Sequence, residues 1–105
     1  MKRGEIWFAA TGTGGDRPVL VLTRDPVADR IDGIVVAQLT STIRGVMSEL
    51  KLGEADGLQR ECVASFDNLH TLPRVAFRRR VAVLSPTRLD QVCAVLNDAL
   101  GCGAR

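Results

Sequence analysis

Two short apolar runs, Val19-Leu20-Val21-Leu22 and Ile34-Val35-Val36-Ala37-Gln38-Leu39, constrain this chain more than any other feature. Both are rich in branched side chains and bounded by turn residues, the pattern of strands covered on both faces. Both also meet polar groups at their tips. Gly14-Gly15-Asp16-Arg17-Pro18 leads into the first, and Thr40-Ser41-Thr42 follows the second. A covered sheet keeps its middle dry, so chemistry belongs at the tips.

Further strands are expected around these two. Glu5 to Ala10 reads as a first strand, Pro18 to Thr23 as a second and Ile34 to Leu39 as a third. Val46 to Leu52 alternates over its latter part as a half-buried strand does. Cys62 to Phe66 reads as another, followed by a polar step from Asp67 to Pro73, and Arg78-Arg79-Arg80 leads into a last strand, Val81 to Leu84. Thr11 to Gly15 is expected to be a mobile loop beside a functional site. Asp25-Pro26 and Asp32-Gly33 punctuate the next connection as turns.

One helix closes the chain. Ser85 is a good N-cap, Pro86 suits the first helical position, and Leu89, Val92, Cys93, Leu96 and Leu100 recur on one face before Gly101 stops it. Strands first and one helix last gives an α+β fold, an antiparallel sheet capped by the helix. Parallel winding lacks the helical crossovers it needs.

With 105 residues, 46% of them hydrophobic and 25% charged, the chain is expected to form one domain over residues 1–105, near the size where self-association adds useful stability. Its net charge of +2 is too mild to announce nucleic-acid binding. The choice of cation says more: of 14 basic residues only Lys2 and Lys51 are lysines, and the arginine fork suits phosphate and carboxylate. The charged N-terminus is followed by no apolar segment of export or membrane-spanning length, which points to the cytoplasm. Cys62, Cys93 and Cys102 are widely spaced and odd in number, hence reduced, small apolar residues rather than a zinc site or disulfide framework. Gly12-x-Gly14-Gly15 precedes a strand and lacks both the Gly-Lys-Ser/Thr ending and the following helix of a phosphate loop.

Taken in order, Arg3-Gly4-Glu5-Ile6-Trp7, Arg17-Pro18-Val19-Leu20-Val21-Leu22, Leu39-Thr40-Ser41-Thr42-Ile43-Arg44, Cys62-Val63, Asp67-Asn68-Leu69-His70-Thr71 and the closing helix resemble the MazF-type toxin endoribonucleases of bacterial toxin–antitoxin systems. The resemblance covers nearly the whole chain. It implies a small SH3-like antiparallel β-barrel with a C-terminal α-helix, a homodimer, and metal-independent cleavage of single-stranded RNA without a cofactor. It also implies cleavage to a 2′,3′-cyclic phosphate and a 5′-hydroxyl, and a cognate antitoxin with an acidic disordered tail. By position in the motifs, the family's catalytic arginine is Arg17 and its catalytic threonine is Thr40. Asp16, Gln38, Ser41, Thr42, Arg44, Asn68 and His70 are candidate RNA contacts.

The chemistry supports that carry-over. Attack of a ribose 2′-hydroxyl on the adjacent phosphate builds negative charge on the phosphoryl oxygens, which a permanently protonated guanidinium stabilises. Pro18 restricts the Arg17 backbone to extended conformations. Thr40 is short and stiff enough to hold a phosphate oxygen or the nucleophile in register. Arginine stays protonated, so this pair orients and stabilises rather than removing the 2′ proton.

The chain departs from the family at two places. The loop from Thr11 to Asp16 is shorter and lacks a Gly-Ser-Glu segment, so RNA sequence preference need not carry over. His70, the only histidine, stands where the family usually has arginine; without a demonstrated partner it is weak evidence of acid–base catalysis. Arg78-Arg79-Arg80 reads either as a contact to RNA phosphates or as a solvated edge protecting a strand. Trp7 and Phe8 read as core or interface. Two other functions share the fold: a CcdB-like gyrase inhibitor, against which the Arg17–Thr40 pair argues, and an SH3-like peptide-binding domain, for which exposed aromatics are scarce.

Overall fold

In a computed structural model, residues 1–102 are described apart from Thr13 and Pro26. The expected loop at Thr13 and the Asp-Pro turn at Pro26 therefore fall on residues outside that set. The strands are β1 (Glu5–Ala10), β2 (Asp16–Val21), β3 (Gly33–Thr40), β4 (Glu49–Leu52), β5 (Cys62–Pro73) and β6 (Phe77–Val83), and the helix is α1 (Pro86–Leu100). They form one curled antiparallel sheet in the order β4-β5-β3-β2-β1-β6, a half-barrel with β4 and β6 at its edges.

The two apolar runs lie side by side in the middle, Val19 opposite Gln38 and Val21 opposite Val36. Their unbroken apolar character has a direct cause, since both faces of the sheet are covered. Leu20, Ala37 and Leu39 join Ile6, Leu50, Ala64, Phe66 and Val92 in one core, against which α1 packs Leu89, Val95 and Leu96. Val19, Val21, Ile34 and Val36 point the other way, into a second core with Ala9, Ala28, Leu72 and Ala76.

Three expectations need correction. The step from Asp67 to Pro73 is not a connection but the second half of β5. Polar residues continue the strand because its ladder with β3 shifts: Ala37 faces Leu69 but Gln38 faces Ser65, so Phe66, Asp67 and Asn68 bulge out between them. The arginine triplet lies inside β6, which starts at Phe77. Finally, Cys93 and Leu100, expected on the apolar face of the helix, are exposed, Leu100 to 56%.

The helix ends are as expected. The Ser85 hydroxyl accepts the Arg88 N–H at 3.3 Å, and Gly101 closes the helix in the left-handed region at φ 69°. Arg88 also reaches out of α1 to the buried Asp56, donating from Nε at 2.9 Å and Nη2 at 3.1 Å. That pair ties the helix to the turn between β4 and β5.

Candidate functional site

Side chains alternate along strands, so residues facing one another across the ladders share a face. On the face of the second core, β2, β3, β5 and β4 align in a row: Val19 opposite Gln38, Gln38 opposite Ser65, and Ser65 opposite Glu49. The next row runs Thr40, Val63, Lys51. The β2–β3 ladder ends at Val19 opposite Gln38; continued two residues further, the same register brings Arg17 toward Thr40 on this face. The apolar core thus gives way, at the tips of the two central strands, to a polar field.

A cleft of about 350 Å³ opens there, lined by Gln38, Thr40, Thr42, Arg44, Ser65, Asp67 and Asn68. Five of the nine expected site residues lie in its wall. Thr40 Oγ1 accepts the Thr42 N–H at 3.1 Å, which leaves its own hydroxyl hydrogen to donate outward. The Gln38 carbonyl oxygen lies 3.2 Å from His70 Nε2, so His70 stands beside the cleft as a partner of its wall rather than in the wall itself. Ser41 is exposed and outside the lining.

The two arginines of this face differ. Arg17 is exposed, and a side chain at Gly14 would start 3.6 Å from its Nη2, so the guanidinium lies along bare backbone. Among the described residues it has no ion pair; its neighbour Asp16 pairs with Arg78 at 3.6 Å instead. Arg44, by contrast, is held between carboxylates, with Nε 3.3 Å from Glu49 Oε2 and Nη2 3.7 Å from Asp67 Oδ2.

Glu49 is the anchor of that arrangement. Its side chain is 3% exposed, and it accepts the backbone N–H groups of Arg44 at 3.1 Å and Gly45 at 2.9 Å. Burial works against its ionisation, but the hydrogen bonds from Arg44, Gly45 and Val46 hold the carboxyl below its ordinary range. On the opposite wall the buried Ser48 hydroxyl donates to Asp67 Oδ2 at 2.5 Å. Sequence reading missed Ser48, Glu49, Lys51, Ser65 and Asp67. Alternation in Glu49-Leu50-Lys51-Leu52 does carry a signal for Glu49 and Lys51, whereas Asp67 stands in a quoted motif but gains its place only from the bulge that turns it to the cleft.

Among the described residues, no group of three or more His, Cys, Asp or Glu side chains gathers as a metal would need. No helix among them is long and apolar enough to cross a membrane.

Residues 2–100 match the family model of PemK-like, MazF-like toxins of type II toxin–antitoxin systems. The chain belongs to that family. This MazF-like toxin is 60% identical over 103 residues to the probable endoribonuclease MazF2 of Mycobacterium tuberculosis H37Rv, covering 97% of this chain and 100% of that protein. It is 33% identical to the probable endoribonuclease MazF5 of the same strain, over 95% and 93% of the two chains. Among solved structures, the M. tuberculosis toxin MazF-mt6 superposes with a TM-score of 0.85 at 29% identity, over 92% of this chain and 96% of that one. A mycobacterial endoribonuclease in complex with its cognate antitoxin superposes at 0.87 over 100% and 99% of the two chains, and at 22% identity supports the MazF-like fold alone.

Proposed function

We propose that this MazF-like toxin is an endoribonuclease that cuts single-stranded RNA at the polar end of the β2–β3 pair, without a metal. The observation that carries the reading is the β2–β3 register, which, continued past Val19 and Gln38, brings Arg17, without an ion pair among the described residues, toward Thr40 in the wall of the polar cleft. An attacking 2′-hydroxyl and a phosphate seated there meet a guanidinium for the developing charge and a hydroxyl donor whose acceptor side is already engaged. The bond from phosphorus to the 5′-oxygen breaks as the 2′-oxygen bonds, leaving a 2′,3′-cyclic phosphate and a 5′-hydroxyl. Gln38, Thr42, Arg44 and Asn68 line the cleft as RNA contacts, with His70 beside it on Gln38; Ser41 lies outside the lining, and Asp16 is turned to Arg78 on β6.

The toxin acts in the cytoplasm as a homodimer, held in check by an antitoxin with an acidic disordered tail. Self-association is supported by an apolar groove of about 350 Å³ whose lining includes Leu22, Ile31, Val35, Leu69, Leu96 and Leu100. Ile31 and Leu100 are 42% and 56% exposed there, the kind of surface a second subunit covers.

The test is digestion of a long unstructured RNA in EDTA, with mapping of the fragment ends. Wild-type protein is expected to give defined cuts with 5′-hydroxyl ends. Arg17→Ala should lower kcat by about 10²–10³-fold, the cost of losing one oxyanion donor, and Thr40→Ala by about 10²-fold through lost positioning. Intact RNA with wild-type protein across diverse substrates sinks the reading.

A further inference from the structure

We infer that Arg44 is a specificity-determining residue that reads base edges, not a phosphate ligand, and that Glu49 is the positioning residue that gives it this role. The inference rests on the reading of the cleft as an RNA site.

The argument turns on charge. Arg17 and Arg44 stand on the same polar field, but among the described residues only Arg44 is compensated. Its principal partner, Glu49, has a side chain 3% exposed, so solvent does little to screen that contact. Asp67 is 54% exposed at 3.7 Å and adds less. A guanidinium flanked by two carboxylates keeps its five hydrogen-bond donors but loses most of the net positive field that draws a phosphate. A phosphate entering beside Asp67 and Glu49 meets two negative charges. A neutral acceptor, such as a base carbonyl or ring nitrogen, meets none of that repulsion.

Geometry points the same way. Glu49 fixes the guanidinium at Nε and the backbone at the Arg44 and Gly45 N–H groups, so the side chain's otherwise large rotamer freedom is spent before RNA arrives. Fixed planar donors are what discrimination between base edges requires. The cleft that Arg44 lines also offers Asp67 and Asn68 as acceptors and Gln38 as an amide, the mixture that reads an unstacked base. Arg17 is left as the group that binds the backbone.

The experiment maps cleavage sites on an RNA pool of randomised sequence and measures the salt dependence of binding to a 2′-O-methyl oligonucleotide carrying the preferred site. Arg44→Ala removes an exposed side chain, and circular dichroism checks that it folds despite leaving the buried Glu49 carboxylate without its partner. It is expected to flatten the preference at one nucleotide position by about tenfold while leaving the slope of log affinity against log salt unchanged. Arg17→Ala should lessen that slope by about 0.7, one single-strand phosphate contact, without altering the sequence profile. Glu49→Gln, which frees the Arg44 charge, should relax the same position and steepen the slope. An unchanged cleavage profile in Arg44→Ala, or a slope lessened by about 0.7, overturns the assignment while the ribonuclease reading stands. A wild-type protein that neither binds nor cuts RNA overturns both.

Discussion

At the residue scale, environment separates side chains that look alike in sequence. The three cysteines are one case: Cys62 is half-buried at the start of β5, and burial, with Asp56 and Glu61 nearby, pushes its thiol up from the ordinary value. Thiolate is the reactive form, so alkylation followed by mass spectrometry is expected to label the exposed Cys93 and Cys102 well before Cys62. Equal labelling of all three in the native protein contradicts this. The site was partly legible at the same scale. Motif order singles out Arg17 and Thr40, nearness to strand tips singles out Gln38, Thr42 and Arg44, and Asn68, in the bulge of β5, stands in one of the family's motifs. Glu49 was missed, because its role depends on Arg44 five residues back and on a register that no local pattern encodes.

At the scale of elements, the bounds of β1 and the helix cap were readable because Gly, Pro and Ser act locally, whereas β2, β4 and β6 begin two to four residues away from where their patterns place them. The course of β5 was not readable, because a bulge lets polar residues continue a strand that periodicity alone would end. The docking of α1 onto the sheet adds a close approach that composition hides. Gly4 has φ +93°, and a Cβ there would come within 2.5 Å of Leu89 Cδ2 and 3.3 Å of its Cγ. Gly4→Ala therefore combines backbone strain with a clash under the helix, and should lower unfolding free energy by about 1–3 kcal/mol in urea titration. A change within 0.3 kcal/mol, roughly the error of such titrations, contradicts the tight seat.

For the whole molecule, stability is tied to pH through the clasp between α1 and the β4–β5 turn. Desolvation opposes ionisation of Asp56, but the Arg88 hydrogen bonds and the Gly53 N–H outweigh it and hold the carboxyl below its ordinary 3.8. A carboxyl lowered on folding contributes stability that is fully present above the unfolded value and lost as pH falls through the folded one. Asp56→Asn should thus cost about 1.5–3 kcal/mol at neutral pH, and the gap to wild type should narrow in acid below that value. A gap that stays constant as pH falls from neutrality to well below the ordinary 3.8 excludes the clasp as its source. The bulge of β5 has a consequence of another kind. Phe66 anchors that segment in the core while its neighbours Asp67 and Asn68 face the cleft, and the ladder continues on either side in a shifted register. On the proposed reading of the cleft, that exposed pair can change, and with it the RNA sequence preferred, while the scaffold beneath it stays the same.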